Sequence, residues 1–357
     1  MKLLVVIVNY KTPEMTLESV ASALRETQQI PETKVAVVDN DSQDNSLEKL
    51  RAGAEAAGWG NQVEILSSPW NGGFAWGNNF AIRQALATDD RPEYVYLLNS
   101  DAFPDENAIN ELVNYLDANP SFGMAGSFIH GDDGATHKTA FRFPSLASEF
   151  EGPLGIGLVS KLLERYIVSS DLPTETERVD WLAGASMMIR SQVFDEVGLM
   201  DDGYFLYFEE TDFCLRAARA GWPTAYVVES SVTHIGSVST GIQDISKPTP
   251  EFWYASRHRY FLKNHGRASL WAANALYITA GLIRRFRSAL IRRPSHEPKG
   301  HMRGFLRFNL SLSETPSGHP PGRPVATPNS ATGRILHESQ PATAAVAATT
   351  SRSGGTQ

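Results

Sequence analysis

The sequence predicts an α/β domain with a mostly parallel central sheet flanked by helices, and three observations carry that expectation. Short apolar, β-branched runs at residues 3–8, 34–39, 63–67 and 94–99 alternate with stretches of helical periodicity. Each run is bounded by turn residues and is too short to cross a membrane. Directly after three of them stand Asn9-Tyr10, Asp39-Asn40 and Asn99-Ser100-Asp101. Ligands of such sheets sit beyond the carboxyl ends of the strands, so these polar residues are expected on one rim.

Taken in order, residues 1–8 are apolar enough to resemble the core of a signal peptide. They run straight into Asn9-Tyr10-Lys11-Thr12-Pro13 without a small-residue cleavage site, so a buried first strand is expected. Thr12 with Pro13 reads as a helix start, with Leu17, Val20, Ala21 and Leu24 as its buried stripe. Further helices are expected at about 46–57 and 76–87. Residues 131–180 are irregular and rich in Gly, Pro and charge, and read as a long loop or lid. Order returns over 179–190, in a short acidic helix from Glu209, and in a strand from Thr224. Residues 252–265 and 268–293 look helical. From about Ser311 the chain is Pro, Ser, Thr, Ala and Gly with almost no large apolar residues, the composition of a disordered tail. The expected division is a catalytic domain over 1–245, a basic helical extension over 246–310, and a low-complexity tail over 311–357.

With 357 residues, 42% of them hydrophobic, the chain can bury a substantial core. Its one cysteine, Cys214, excludes an intrachain disulfide and fits a reducing compartment. The net charge of −8 is unevenly spread. Between Arg257 and Arg307 there are twelve Lys or Arg against the single acid Glu297, a balance of +11. The tail beyond carries +1, which leaves −20 on residues 1–256. An acidic body with a basic C-terminal segment argues against a general nucleic-acid binder and for a basic surface facing an anionic one, such as a phospholipid leaflet. Within that segment 268–283 is apolar but shorter than the ~20 residues of a spanning helix. A buried core helix or an interfacial helix with its arginines on lipid headgroups would fit.

Chemistry is concentrated in four places. Glu209, Glu210 and Asp212 crowd one helix start among Leu206, Phe208 and Phe213. A helix N-terminus accepts one or two acids, and desolvated carboxylates are where general bases are made. Asn99 and Asp101, two residues apart after a strand, can present oxygen to Mg2+ or Mn2+, or can form an ordinary turn. Asn71-Gly72-Gly73 before a helix start can bring backbone N–H groups close to an anion, or can simply turn. His234, near the end of a strand, is a structural histidine or a metal ligand.

This ordered set resembles glycosyltransferase family 2, the inverting enzymes of the GT-A nucleotide-sugar-binding fold, over roughly residues 2–265. The resemblance rests on residues 6–10, 37–42, Asn71-Gly-Gly-Phe74 with Gly77-Asn-Asn79, and 97–101. It continues through 181–190, Glu209-Glu210, 234–240 and 257–263, and looks most like the branch of rhamnosyltransferases acting on lipid-linked saccharides. It implies that Asn9, Tyr10, Asp39, Asn71, Gly72, Gly73 and Asn99 hold the nucleotide sugar, that Asp101 and His234 hold Mg2+ or Mn2+, and that Trp181, Gly184 and Asp212 face the acceptor. Glu210, with Glu209 beside it, is implied as the base, and Asp212 is the acid of the three best suited to a structural role. Two departures stand out: the family's Asp-x-Asp is Asn99-Ser100-Asp101, and its Glu-Asp pair is Glu209-Glu210. The implied partners are a nucleotide-sugar donor and a saccharide or polyprenyl-linked acceptor. The implied place is cytoplasmic, peripheral on the inner face of the cytoplasmic membrane. Rival readings are a nucleotidyltransferase, whose basic glycine-rich N-terminal loop is missing, and a non-catalytic sugar-nucleotide-binding protein.

Overall fold

The computed structural model of the chain describes residues 1–169, 171–236, 246–291 and 297–311. Those residues fall in one compact unit, and the second unit, Thr327–Gln357, lies wholly outside them, as do Ser239, Thr240, Arg292, Arg293 and the expected disordered tail beyond Ser311.

The first half alternates strand and helix: β1 (Leu3–Asn9), α1 (Pro13–Glu26), β2 (Thr33–Asp39), α2 (Ser46–Ala56), β3 (Val63–Ser67), α3 (Gly73–Leu86) and β4 (Tyr94–Asn99). There follow β5 (Ala102–Pro104), α4 (Ala108–Ala118), β6 (Met124–His130), β7 (Thr136–His137), β8 (Ala140–Phe141), α5 (Leu146–Leu154) and α6 (Gly157–Leu162). The chain continues through β9 (Glu177–Val179), β10 (Trp181–Leu182), β11 (Ser186–Arg190), α7 (Ser191–Val197), α8 (Glu209–Arg219), β12 (Thr224–His234), α9 (Glu251–Ile291) and α10 (His301–Ser311).

The main sheet runs β3-β2-β1-β4-β11-β6-β12-β5. Its first four strands are parallel, as their unbroken apolar runs require: Leu3, Val5 and Ile7 enter one core and Leu4 and Val6 the other. The sheet as a whole is mixed, because β11 is antiparallel to both β4 and β6. Register brings the polar strand ends together. Asn9 pairs with Asp39, and Val8 pairs with Asn99.

Two expectations change. The 131–180 stretch contains two helices and three short strands; α5 carries a capping box from Ser145 and Ser148, and Pro153 in its last turn disguises it in the sequence. In α1, Pro13 does open the helix, but Thr12 makes no side-chain cap and Val20 is the only fully buried member of the expected stripe. Leu17 and Leu24 are half-buried against the same core, and buried hydroxyls complete the face. Thr16 donates to Asn9 Oδ1 (2.9 Å), Ser19 to the Ala102 carbonyl (2.9 Å) and Ser22 to the Pro104 carbonyl (3.1 Å). Part of the face of α1 is polar because it lies on strand ends whose carbonyls need donors.

Near the C-terminus α9 bends at Gly266 (φ 81°, ψ 173°), where the sequence predicted a break. It packs along α5 and α10 and is part of the same compact unit as the sheet.

Candidate active site

A cavity of about 1100 Å³ opens at the carboxyl rim of β1, β2 and β4 and is closed on the far side by β8, β10, α5 and the start of α9. Tyr10, Asn71, Gly73, Asn99, Asp101, Trp181, Gly184, Glu209, Glu210 and His234 all line it, so ten of the residues expected at the site converge.

Glu209 and Glu210 are delivered by a strained turn. Tyr207 and Phe208, both aromatic, adopt left-handed backbone angles (φ 68° and 69°) immediately before α8. Such a conformation is uncommon for bulky residues and persists only where its surroundings hold it. Here Phe74 N–H donates to the Phe205 carbonyl (3.0 Å), Ser256 donates to the Leu206 carbonyl (2.9 Å), and Phe208 packs on Trp253 and Tyr260. The first turns of α9 therefore support the turn that aims the carboxylates.

Glu210 Oε1 accepts the Gly184 N–H at 3.1 Å, and a Cβ on Gly184 would lie 2.8 Å from that oxygen. Gly184 is thus a seat for Glu210. Burial raises the Glu210 carboxyl above its ordinary value, against the stabilisation of the anion by that N–H. Glu209 is almost fully buried, and its Oε2 has no hydrogen-bond partner among the described residues. Burial, reinforced by the charge of Glu210, holds Glu209 well above the carboxylate range.

At the other end of the cavity, strand pairing does what sequence distance hides. His234 pairs with Ala102 across β12 and β5, which places His234 Nε2 3.0 Å from Asp101 Oδ1 and 3.4 Å from Asn99 Nδ2. Two protein donors facing the cavity suit Mg2+ or Mn2+, which complete their shells with phosphate oxygens and water. Among the described residues no group of three His, Cys, Asp or Glu forms a fuller cage. His137, edge-on to His234 at 6.0 Å between ring centroids, also lines the cavity. Nothing in its Thr136-His137-Lys138 surroundings signals this, because β7 reaches the rim only by pairing with β6.

Other expected site residues occupy different positions. Asn9 and Asp39 lie beneath the rim: Asn9 Nδ2 donates to Asp39 Oδ1 (2.8 Å), which also accepts from Ser42 Oγ (2.6 Å). Asp212 is fully buried away from the cavity, bonded to Arg216 (2.8 Å), Lys263 (2.8 Å) and Asn264 (2.8 Å). It is not placed to touch an acceptor, and of its two expected roles the structural one fits. In the glycine loop, Asn71 and Gly73 line the cavity, but two backbone amides are already engaged. The Gly73 N–H donates to Asn71 Oδ1 (3.0 Å) and the Phe74 N–H to Phe205, so neither is free for a phosphate. Gly73 (φ 86°) is required because a Cβ would sit 1.7 Å from the Phe205 carbonyl oxygen, and one on Gly72 would meet the Trp76 side chain at 2.3 Å.

Trp181 stacks on Phe141 at 4.3 Å and donates its indole N–H to the Arg142 carbonyl (2.9 Å), forming a fixed aromatic wall. Flat apolar faces of this kind pack against sugar C–H surfaces, while carboxylates bind hydroxyls.

The chain matches the model of glycosyl transferase family 2 over residues 4–197, more than half its length, and belongs to that family. It is 29% identical over 150 residues to the N-acetylglucosaminyl-diphospho-decaprenol L-rhamnosyltransferase of Mycobacterium tuberculosis, covering 42% of this chain and 49% of that one. To the low-salt glycan biosynthesis hexosyltransferase Agl10 of Haloferax volcanii it is 28% identical over 223 residues, covering 60% and 61%. To the rhamnosyltransferase WbbL of Escherichia coli it is 26% identical over 167 residues, covering 45% and 60%. The chain thus spans less than two thirds of the length of each of these relatives. In fold it is similar to GalNAc-T7 solved with UDP, GalNAc and Mn2+ (TM-score 0.54, 17% identity, 89% of this chain and 58% of that one). It is also similar to the mannosyltransferase PcManGT of Pyrobaculum calidifontis solved with GDP-Man and Mn2+ (TM-score 0.51, 14% identity, 87% and 79%). The fold is of the GT-A type.

Proposed function

We propose that the protein is an inverting glycosyltransferase that moves a sugar, L-rhamnose from dTDP-rhamnose as the best reading, onto a hydroxyl of a saccharide or polyprenyl-linked saccharide in cell-envelope polysaccharide synthesis. The observation that carries this is the facing of Glu210, seated on Gly184, and the Asp101–His234 pair across one cavity. The names of the M. tuberculosis and E. coli relatives support rhamnose, and the former supports a lipid diphosphate acceptor.

Glu210 accepts the proton of the acceptor hydroxyl as that oxygen attacks the anomeric carbon from the face opposite the diphosphate. Glu209, its carboxyl held well above the carboxylate range by burial, leaves the charge to Glu210. Asp101 and His234 would hold the divalent cation, with Asn99 as a neutral neighbour; when bound, the cation offsets the charge that develops on the departing diphosphate. Trp181 with Phe141 orients the acceptor by stacking. The place of action is the inner face of the cytoplasmic membrane, where such an acceptor is held.

In the Glu210→Gln variant, transfer and nucleoside diphosphate release are expected to fall by at least about 100-fold. The rise in Tm caused by dTDP-rhamnose with Mn2+ is expected to persist, since a site-specific ligand stabilises the native state. Near-normal turnover in that variant would remove Glu210 from the role. A Tm response to UDP- or GDP-sugars alone would replace the donor.

A further inference from the structure

We propose that α6 and the half of α9 after Gly266 form one docking face for an anionic phospholipid bilayer, with α9 lying in the plane of the membrane surface. The proposal goes beyond the transfer reaction and holds whichever sugar is moved.

The sequence presents 268–283 as one apolar run, but the structure divides it. Leu270, Ala273, Asn274, Ala280 and Gly281 are buried, and Gly281 is closely approached by Met302 of α10. The other side is bare. Among the described residues there are eleven exposed large hydrophobics; six lie on α9 beyond Gly266 and two on α6, so the exposed apolar surface is concentrated. Trp271 (66% exposed), Leu282 (56%), Phe286 (68%) and Leu290 (68%) recur at helical spacing. At about 100° per residue they fall within an arc of roughly 100°, along about 29 Å of helix. Leu158 and Leu162, one turn apart on α6, are 73% and 77% exposed. Arg287 donates to the Gly155 carbonyl (2.9 Å), which fixes the entry to α6 against this part of α9.

The rim of the stripe identifies the occupant. By the same projection Arg267 and Arg285 flank one edge and Arg287 the other. Described residues from Arg267 to Arg307 include seven Lys or Arg and one acid, Glu297, which pairs with Arg284 (3.8 Å) and Arg285 (3.5 Å). An apolar stripe bordered by arginines matches a surface that is oily inside and anionic at its boundary. A second copy of the chain would bring the same basic rim against itself. No helix of the described residues is long and apolar enough to cross a membrane, so the stripe can lie on the bilayer and not through it.

The test is flotation of the full chain with vesicles of phosphatidylcholine alone or mixed with phosphatidylglycerol. Truncation after residue 266 is unsuitable, because it removes Asn274 from the buried Arg257 (2.7 Å). Point changes at exposed positions avoid that. The unaltered chain is expected to float with the mixed vesicles and to lose that binding as salt is raised. Phe286→Ser with Leu290→Ser is expected to reduce the vesicle-bound fraction by about tenfold, with Tm unchanged. Equal flotation of the double variant, or no flotation of the unaltered chain, would overturn the proposal. So would a dimer of the unaltered chain that the double variant dissolves, because the stripe would then belong to a second copy. Transfer to a detergent-solubilised acceptor is expected to survive in the double variant. In the unaltered chain, transfer without flotation therefore condemns the docking face alone, and flotation without transfer condemns the catalytic reading alone.

Discussion

Two neighbouring carboxylates in a desolvated site do not both ionise at small cost, and environment decides which keeps the proton. Glu209 is buried with one oxygen unpartnered, whereas Glu210 has the Gly184 N–H to hold its charge. Of the two, Glu209 therefore holds its proton to the higher pH. Both groups are raised above 4.5, so the folded protein binds their protons more tightly than the unfolded chain does. Their stabilising contribution is complete below the unfolded value and is lost as pH rises through the folded one. Glu209→Gln removes that loss, so it is expected to raise Tm at pH 8, by on the order of 2 °C, and to change it little at pH 4. Glu209 is neutral where Glu210 titrates, and burial is what raises Glu210, so the acid limb of the rate profile is expected to stay in place. Equal Tm effects at both pH values would contradict the raised Glu209 carboxyl.

At the scale of elements, α8 matters through the turn that starts it. Left-handed Tyr207 and Phe208 cost about 1–3 kcal/mol each, and contacts from α3 and α9 keep them in place. The second support is the short segment between β10 and β11 that carries Gly184. In Gly184→Ala the new Cβ would press on Glu210 Oε1 and on the Phe74 ring, 2.7 Å away. Turnover is expected to fall by about 100-fold, as for a misplacement of roughly 1 Å, while the donor-induced Tm rise is retained. Parallel loss of both in calorimetry and rate assays would show that the cavity had collapsed.

Across the whole molecule, α9 joins the C-terminal helices to the catalytic body through a buried charge. Arg257, 2% exposed, donates to Glu149 of α5 through Nε (2.9 Å) and Nη2 (2.6 Å), and to Asn274 through Nη1 (2.7 Å). Burial still pushes the Glu149 carboxyl up, with the Arg257 charge opposing it. Removing one partner leaves the other desolvated, so Arg257→Met is expected to cost about 3–5 kcal/mol in denaturant unfolding. Arg257→Met with Glu149→Leu is expected to recover most of that, since a well-packed apolar pair tolerates burial better than a single charge. Glu149 also lines the cavity, so the single variant is expected to weaken transfer as well.

Much of this protein was legible locally. The strands β1 to β4, their bounding turns, the helix start at Pro13 and the acidic turn of α8 follow from periodicity and short-range sterics, which act between residues near in sequence. The gathering of the strand ends at Asn9, Asp39 and Asn99 was legible as well, because parallel strands in register end together. The resemblance further placed Glu210 among the family's motifs. Long-range pairing decided the rest. Antiparallel β11, the capped α5 hidden by Pro153, the approach of His137 to His234 and the union of Asp101 with His234 across more than a hundred residues all depend on which edges meet. So do the corrections: the Gly73 and Phe74 amides are engaged with Asn71 and Phe205, Asp212 is held by Arg216 and Lys263, and one side of the apolar α9 run is buried. The sequence alone determined which groups the chain could offer, because propensity and charge are properties of residues. Only the tertiary structure decided which of them are desolvated, paired or free, because those are properties of neighbours that folding supplies.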